Sequence, residues 1–366
     1  MKYKITQVNP YVDECEISNI EKSINDKWLT EGPYCQQFLD KIKETTGSKY
    51  AVLAPNGTLG LFLALLALDL PKDSEVIIPS FTFYASATSV VFAGLKPVFV
   101  DVNPNTYMID LESLEENITK NTSAIMPVHV YGHSAPITEV MQVAKKHNIR
   151  VIEDAAQAYG VFFDGKHCGI FGDVSMISFF ADKTITTAEG AVVLTQCEKL
   201  YKKLRYLRNQ GRDNSGVFIH PELGMNFRLN DIQCGIGVSQ ANKFHEISHT
   251  KNSLYNIYLN NLKGIGDLDF MSVDDSSTFV PFRFFLTTKH KEKLMEFLEH
   301  NGIQTRSYFY PMHLQPKLKC YTRDLCVESE KLYAKGICLP LHMDMTKNDV
   351  DIITDIIKEY FSEIDQ

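Results

Sequence analysis

Between residues 45 and 200 the chain alternates short, nearly unbroken apolar runs with longer amphipathic ones. The apolar runs at 50–54, 75–79, 97–101, 124–128, 150–153, 175–180 and 191–195 are rich in Val, Ile or Phe and show little polar alternation. That is the pattern of strands covered on both faces. Helical segments at 59–68, 84–93 and 138–147 lie between them, and the last ends on Lys145, Lys146 and His147, as suits a helix C-terminus. Strand–helix alternation of this kind predicts an α/β protein with a largely parallel sheet and helices on both faces. In such sheets ligands bind beyond the carboxyl ends of the strands.

A Gly/Asn/Pro-containing loop around 210–225 breaks this rhythm, and a long helical stretch follows from Asn230 to about Leu262. Beyond Gly264 the signals become shorter: a strand at 279–287, a helix at 291–301 and a final amphipathic helix at 347–364. The expected division is a large domain over 1–250, with an N-terminal arm, and a smaller one over 251–366. A chain of 366 residues exceeds the usual size of one core, in keeping with two domains.

A formal net charge of −8 argues against a general nucleic-acid binder. It leaves room for a local basic cluster such as Lys202, Lys203, Arg205, Arg208 and Arg212, which suits an anionic ligand or a solvated helix face equally. The eight cysteines contain no CxxC pair and lack zinc spacing, so no metal site is expected, and a reducing compartment suits them. The N-terminus carries no signal-like apolar run, and no apolar stretch is long enough to span a bilayer. A cytoplasmic protein is the expectation.

Candidate chemistry gathers at three strand ends. Lys183 follows the run ending at Phe180 and opens a polar turn, Asp182-Lys183-Thr184-Ile185-Thr186-Thr187-Ala188-Glu189-Gly190. Asp154 closes the strand at 150–153, and Gln157 lies three residues on. Asn56-Gly57-Thr58 stands between a strand and a long apolar helix, where free first-turn amides make a phosphate site. A lysine amine for a Schiff base, a carboxylate for a pyridine nitrogen and a phosphate cradle are what a pyridoxal phosphate site requires. Asp154 equally suits a helix cap. Ser178 supplies a hydroxyl near the lysine, or is a satisfied strand serine. Phe83 follows another strand end and could stack on the ring or belong to the core.

With these residues in hand, the chain resembles the sugar aminotransferases of the DegT/StrS family from near residue 8 almost to the C-terminus. The resemblance rests on Asn56-Gly57-Thr58 with its apolar helix, Pro79-Ser80-Phe81-Thr82-Phe83, Pro97-Val98-Phe99-Val100-Asp101-Val102 and Pro127-Val128-His129-Val130-Tyr131-Gly132. It rests also on Glu153-Asp154-Ala155-Ala156-Gln157-Ala158, Gly172-Asp173, Leu207-Arg208-Asn209 and Gly224-Met225-Asn226-Phe227-Arg228-Leu229. It implies a type I pyridoxal phosphate transferase fold, with a mostly parallel seven-stranded sheet and a smaller C-terminal α+β domain. It implies a homodimer with shared active sites, in which Asn226 reaches the partner's cofactor phosphate. Lys183, Asp154, Gln157, Ser178, Gly57, Thr58 and Phe83 carry over as cofactor residues. The lysine segment is most similar to the perosamine synthase-like branch, which moves an amino group from L-glutamate to C4 of a nucleotide-linked 4-keto-6-deoxysugar in polysaccharide (for example O-antigen) biosynthesis.

Ala188 and Ala191 stand where the family often has Gly. Methyl groups there could narrow a sugar pocket. His220, Tyr308 and His313 are candidate sugar or phosphate contacts, or structural residues. Competing readings are a C3-directed sugar aminotransferase and a non-catalytic regulator that binds the cofactor or a nucleotide sugar. Related dehydratases carry His in place of the lysine, so Lys183 argues against that chemistry. No strand is followed by GxGxxG, which disfavours a nicotinamide enzyme.

Overall fold

The computed structural model describes residues 3–213, 216 and 218–364. The chain opens with helices α1 (Glu14–Asn25) and α2 (Pro33–Thr46). It then alternates β1 (Tyr50–Ala54), α3 (Gly57–Leu68), β2 (Glu75–Pro79), α4 (Tyr84–Phe92), β3 (Lys96–Val100), α5 (Leu111–Glu116), β4 (Thr122–Ile125), α6 (Ile137–His147) and β5 (Arg150–Asp154). A short hairpin, β6 (Phe162–Phe163) and β7 (Lys166–His167), leads to β8 (Val174–Ser178), β9 (Ala191–Thr195) and α7 (Glu198–Arg208). The long helix α8 (Asp231–Leu262) precedes β10 (Phe284–Thr287), α9 (Lys291–His300), β11 (Arg306–Ser307), α10 (Val327–Lys335), β12 (Gly336–Leu339) and α11 (Lys347–Ile364).

The seven apolar runs become the seven strands of one sheet, in the order β1-β9-β8-β5-β4-β2-β3. Only β9 runs antiparallel to its neighbours, β1 and β8, while the remaining pairs are parallel. This is the mostly parallel seven-stranded sheet expected from the sequence. Every residue of β2, β8 and β9 is buried, which is why these strands show no polar alternation. Helix α3 is apolar on all sides because it is enclosed: it packs on β8 and β9 from one side and on α4 and α7 from the other.

Helix α8 is capped at its start by Asn230, whose side chain accepts the N–H of Gln233. It runs without a break through the boundary expected at residue 250. Its first half buries Cys234, Val238, Phe244 and Ile247 against the large sheet's helices, and its second half buries Leu254, Tyr255, Tyr258 and Leu262 in the core of the C-terminal region. The change of core therefore falls within one helix and not at a linker. The C-terminal region is a three-stranded antiparallel sheet, β10-β12-β11, covered by α9 and α11.

The strand expected over 279–287 is regular only from Phe284. The preceding segment is tied elsewhere: Val280 N–H bonds Gly132 O, and Phe282 O accepts the ammonium of Lys251 at 3.1 Å. Phe282 and Arg283 are thereby directed toward the large domain. All eight cysteines are free thiols. Among the described residues no helix is long and apolar enough to cross a membrane, and no cluster of metal-ligating side chains occurs.

Candidate active site

The carboxyl ends of β1, β2, β4, β5 and β8 open onto one cavity of about 570 Å³, closed from the other side by the C-terminal region. At one end lies the N-terminus of α3. Asn56 caps it, accepting Leu59 N–H at 3.0 Å through its side chain and Gly60 N–H at 2.9 Å through its carbonyl. The amides of Gly57 and Thr58 have no acceptor among the described residues, the arrangement that favours an anion. Ser178, at the end of β8, stands so near that a Cβ on residue 57 would sit 3.2 Å from its Oγ. A glycine is what leaves this cradle open.

Toward the middle of the cavity lies Asp154, the last residue of β5 and almost wholly buried. Its Oδ2 accepts the Ser86 hydroxyl at 2.7 Å and its Oδ1 the Ala156 N–H at 3.1 Å. Thr82 lies within 2.8 Å of the same Ser86 oxygen. Burial raises the Asp154 pKa, against the pull of these hydrogen bonds and of the Lys183 charge. Gln157 also lines the cavity, its Oε1 held at 2.7 Å by the N–H of Tyr131. Tyr131 has a left-handed backbone, φ 62, followed by Gly132 at φ 97, where a Cβ would collide with Val280 O. This tight turn at the end of β4 is strained at Tyr131, and the turn presents its N–H to Gln157.

Lys183 enters from the turn after β8, its own N–H bonded to Phe180 O at 2.9 Å. Its Nζ lies 4.8 Å from the centre of the Phe282 ring. Burial lowers its pKa, opposed by the carboxylates of Asp182 and Asp154. The acid is thus pushed up and the amine down, so both are biased toward their neutral forms. Next to the lysine, Asp182 accepts Arg283 Nη2 at 2.6 Å in a nearly buried ion pair, with Arg306 Nη1 3.8 Å away. Phe83, the N-cap of α4, is 61 % exposed and faces the cavity edge-on to Phe309.

The structure therefore brings Gly57, Thr58, Phe83, Asp154, Gln157, Ser178 and Lys183 to one cavity. The other candidates lie elsewhere. Asn226 is exposed on the loop before α8, its Oδ1 accepting Arg228 N–H, outside the cavity of its own chain. His220 is exposed, its Nδ1 2.7 Å from Gln210 O. Tyr308 is buried in an aromatic cluster with Phe81, Tyr107 and Tyr131, because the next residue along the chain, Phe309, takes the cavity side. His313 is fixed between the Ser80 hydroxyl (2.7 Å) and Glu330 (3.1 Å), all of it internal support. Neither Tyr308 nor His313 lines the cavity. Of the basic cluster, Lys202 pairs with Glu198 and Lys203 with Glu222 on the outer side of α7, whereas Arg208 is largely buried, pairing with Glu31 and donating through Nε to Leu53 O at 2.9 Å.

Several lining residues are absent from the site candidates read in the sequence: Phe282, Arg283, Arg306, Ser307 and Phe309, and also His129, which lies in the Pro127–Gly132 motif. His129 is held by buried Glu153 at 3.0 Å, and Glu153 also accepts the N–H groups of Gly169, Phe171 and Gly172.

Pyridoxal phosphate fits these residues: free helix-end amides and an open glycine cradle for its phosphate, a buried carboxylate for its ring nitrogen, and a buried amine for its aldehyde. Fold and site together define a pyridoxal phosphate-dependent aminotransferase. Residues 10–358 match the DegT/DnrJ/EryC1/StrS aminotransferase family, and the chain belongs to it. It is 33% identical over 365 residues to the GDP-perosamine synthase of Escherichia coli O157:H7, covering 99% of this chain and 100% of that one. It is 31% identical over 351 residues to the UDP-N-acetyl-3-dehydro-alpha-D-glucosamine 3-aminotransferase of Acidithiobacillus ferrooxidans, covering 95% and 94%. The crystal structure of DesV from S. venezuelae, in complex with a ketimine intermediate, superposes with a TM-score of 0.91 at 26% identity, covering 94% of each chain. The protein is a sugar aminotransferase.

Proposed function

We propose that this enzyme moves an amino group from L-glutamate to C4 of a nucleotide-linked 4-keto-6-deoxyhexose, with Lys183 as the catalytic residue. The observation that carries the reading is the juxtaposition of Lys183 and Asp154 across one cavity with a helix N-terminus at its end. When bound, pyridoxal phosphate supplies an aldehyde for the amine and an electron sink for the carbanion. The protein's own groups do the rest. Gly57, Thr58 and Ser178 hold the phosphate with amides and hydroxyls. Asp154, kept in place by Ser86 and Ala156, faces the ring nitrogen, whose positive charge would reverse the upward shift of the carboxyl pKa. Gln157 and Phe83 would bound the site of the ring.

Lys183 Nζ takes a proton from the donor's Cα and returns one to the acceptor's carbon in the second half of the cycle. A lowered pKa suits that task, because the free amine is then available near neutral pH. We read the working unit as a homodimer from the resemblance to the family, with Asn226, exposed and outside the cavity of its own chain, serving the phosphate held by a second copy. The 33% identity to a GDP-perosamine synthase supports C4 amination in surface polysaccharide biosynthesis. The 31% identity to a 3-aminotransferase keeps C3 amination as the second reading.

The deciding experiment loads the enzyme with L-glutamate until its yellow band bleaches, then adds nucleotide ketosugars carrying the carbonyl at C3 or C4. The band should return with a 4-keto-6-deoxy sugar, and the product should carry its nitrogen at C4. Return only with 3-keto sugars selects the second reading, and no return with any ketosugar rejects both. Lys183→Ala should lose the borohydride-reducible link to the cofactor; a variant that keeps it rejects Lys183.

A further inference from the structure

An amino acid that reacts at Lys183 brings a carboxylate on the carbon that bears its nitrogen, and that charge needs a cation inside the cavity. Among the described residues four side chains that can carry positive charge line it: His129, Lys183, Arg283 and Arg306, of which His129 is committed to the buried Glu153 at 3.0 Å. Lys183 is the reacting amine. Arg283 is only 7% exposed and is committed to Asp182 at 2.6 Å. Arg306 stands 3.8 Å from the same carboxylate oxygen, with its side chain 52% exposed. An oxygen already held by a buried guanidinium offers little to a second one at that distance, so the planar fork of Arg306 is left to face the cavity.

Its placement is rigid and close to the chemistry. β11 pairs with β12, with Arg306 opposite Cys338, and both residues line the cavity. Asp182 adjoins Lys183 in the chain, so the contact with Asp182 sets Arg306 on the lysine's side of the cavity. The geometry points to Arg306 as the residue that binds the α-carboxylate of the amino donor. A nucleotide's diphosphate is the poorer occupant, because it lies across the whole sugar ring from a reacting C4, whereas the α-carboxylate is one bond from the reacting carbon. The inference rests on the transamination reading above and extends it to how the donor is recognised.

The test uses full-length, cofactor-loaded enzyme as wild type, Arg306→Gln and Arg306→Lys. Bleaching of the yellow band is titrated with L-glutamate and with 4-aminobutyrate, which lacks only the α-carboxylate. Calorimetry measures binding of L-2-hydroxyglutarate, which keeps that carboxylate and cannot react. Arg306→Gln should raise the half-saturating L-glutamate concentration and the L-2-hydroxyglutarate Kd together, by about 30-fold or more, a loss in the range of a charge-assisted hydrogen bond. 4-Aminobutyrate and the ketosugar half-reaction should move by less than about threefold on the same argument. Arg306→Lys should fall between, since an ammonium cannot form the bidentate pair. Equal losses for L-glutamate and 4-aminobutyrate, a loss confined to the ketosugar, or no loss at all would each overturn the assignment of Arg306. A wild-type enzyme that no amino acid bleaches removes the transamination reading itself and this inference with it.

Discussion

Lys251 offers a perturbation whose size follows from its surroundings. It projects from α8, is 5% exposed, and donates to Phe282 O at 3.1 Å. With Gln7, Asp182, Lys183, Arg283 and His342 it lines a small cavity of about 40 Å³. Burial pushes its pKa from 10.5 down to about 7, with Arg283 adding to the effect and Asp182 opposing it. Between pH 7 and 10.5 the unfolded chain therefore holds a proton that the folded chain has released, so stability rises with pH across that window. Below pH 7 the folded protein carries the whole penalty, at most about 5 kcal/mol at roughly 1.4 kcal/mol per pH unit.

Lys251→Met removes the charge and also the hydrogen bond to Phe282 O, the latter worth about 1 kcal/mol. The variant should be about 2–4 kcal/mol more stable than wild type at pH 6, and that advantage should shrink by about 3 kcal/mol by pH 9. His342, whose pKa is lowered chiefly by burial and in smaller part by the Lys251 charge, titrates in both proteins, so only the part due to Lys251 enters the difference. Urea unfolding at pH 6, 7.5 and 9, at one protein concentration and with cofactor stripped from both proteins, reads this directly. A difference between the two proteins that stays constant with pH would refute the buried, easily discharged amine.

Three other outcomes follow from the structure. Asp154→Asn removes a carboxylate that the fold holds above its unfolded pKa of 3.8, so its charged form weighs against folding at neutral pH. The stripped variant should melt at or above the wild-type temperature, while amino transfer falls on the order of 100-fold or more; a clear loss of melting temperature would show that Asp154 is chiefly structural. Ala188 has φ 66, where a side chain costs about 1–2 kcal/mol, and glycine's extra freedom when unfolded offsets about 0.4–1 of that. Ala188→Gly should therefore stabilise by about 0.5–1 kcal/mol in a thermal melt, and a destabilised variant would mean the methyl group packs usefully. Gly57→Ala sets a methyl group 3.2 Å from Ser178 Oγ, inside the cradle at the N-terminus of α3. Spectral titration should show cofactor affinity reduced about tenfold or more with stripped-protein stability within about 1 kcal/mol; unchanged affinity would place the phosphate elsewhere.

The residues that the sequence makes legible are those whose signal is local. A strand covered on both faces reads as an unbroken apolar run, so all seven strands of the large sheet could be located, and with them the ends where Asn56, Asp154 and Lys183 stand. Asn230 announces the start of α8 for a similarly local reason, since capping involves only the next three residues. The end of the large domain is another matter. Helical periodicity is the same whichever core a helix enters, so nothing in α8 marks where its buried face passes from one core to the other.

The far wall of the cavity had no local signature at all. Arg283 and Arg306 meet Asp182 across separations of more than a hundred residues, a consequence of how the C-terminal sheet docks. Tyr308 and Phe309 are adjacent aromatics with nearly the same propensity, and only the packed structure decides that the first enters the core and the second faces the site. The amino-acid sequence by itself determined the large sheet and the lysine, carboxylate and helix end set at its strand termini, because each depends on a few neighbouring residues. Which cations complete the cavity, and which side of the C-terminal segment faces it, were decided only in the folded molecule, because those contacts arise from docking one core against another.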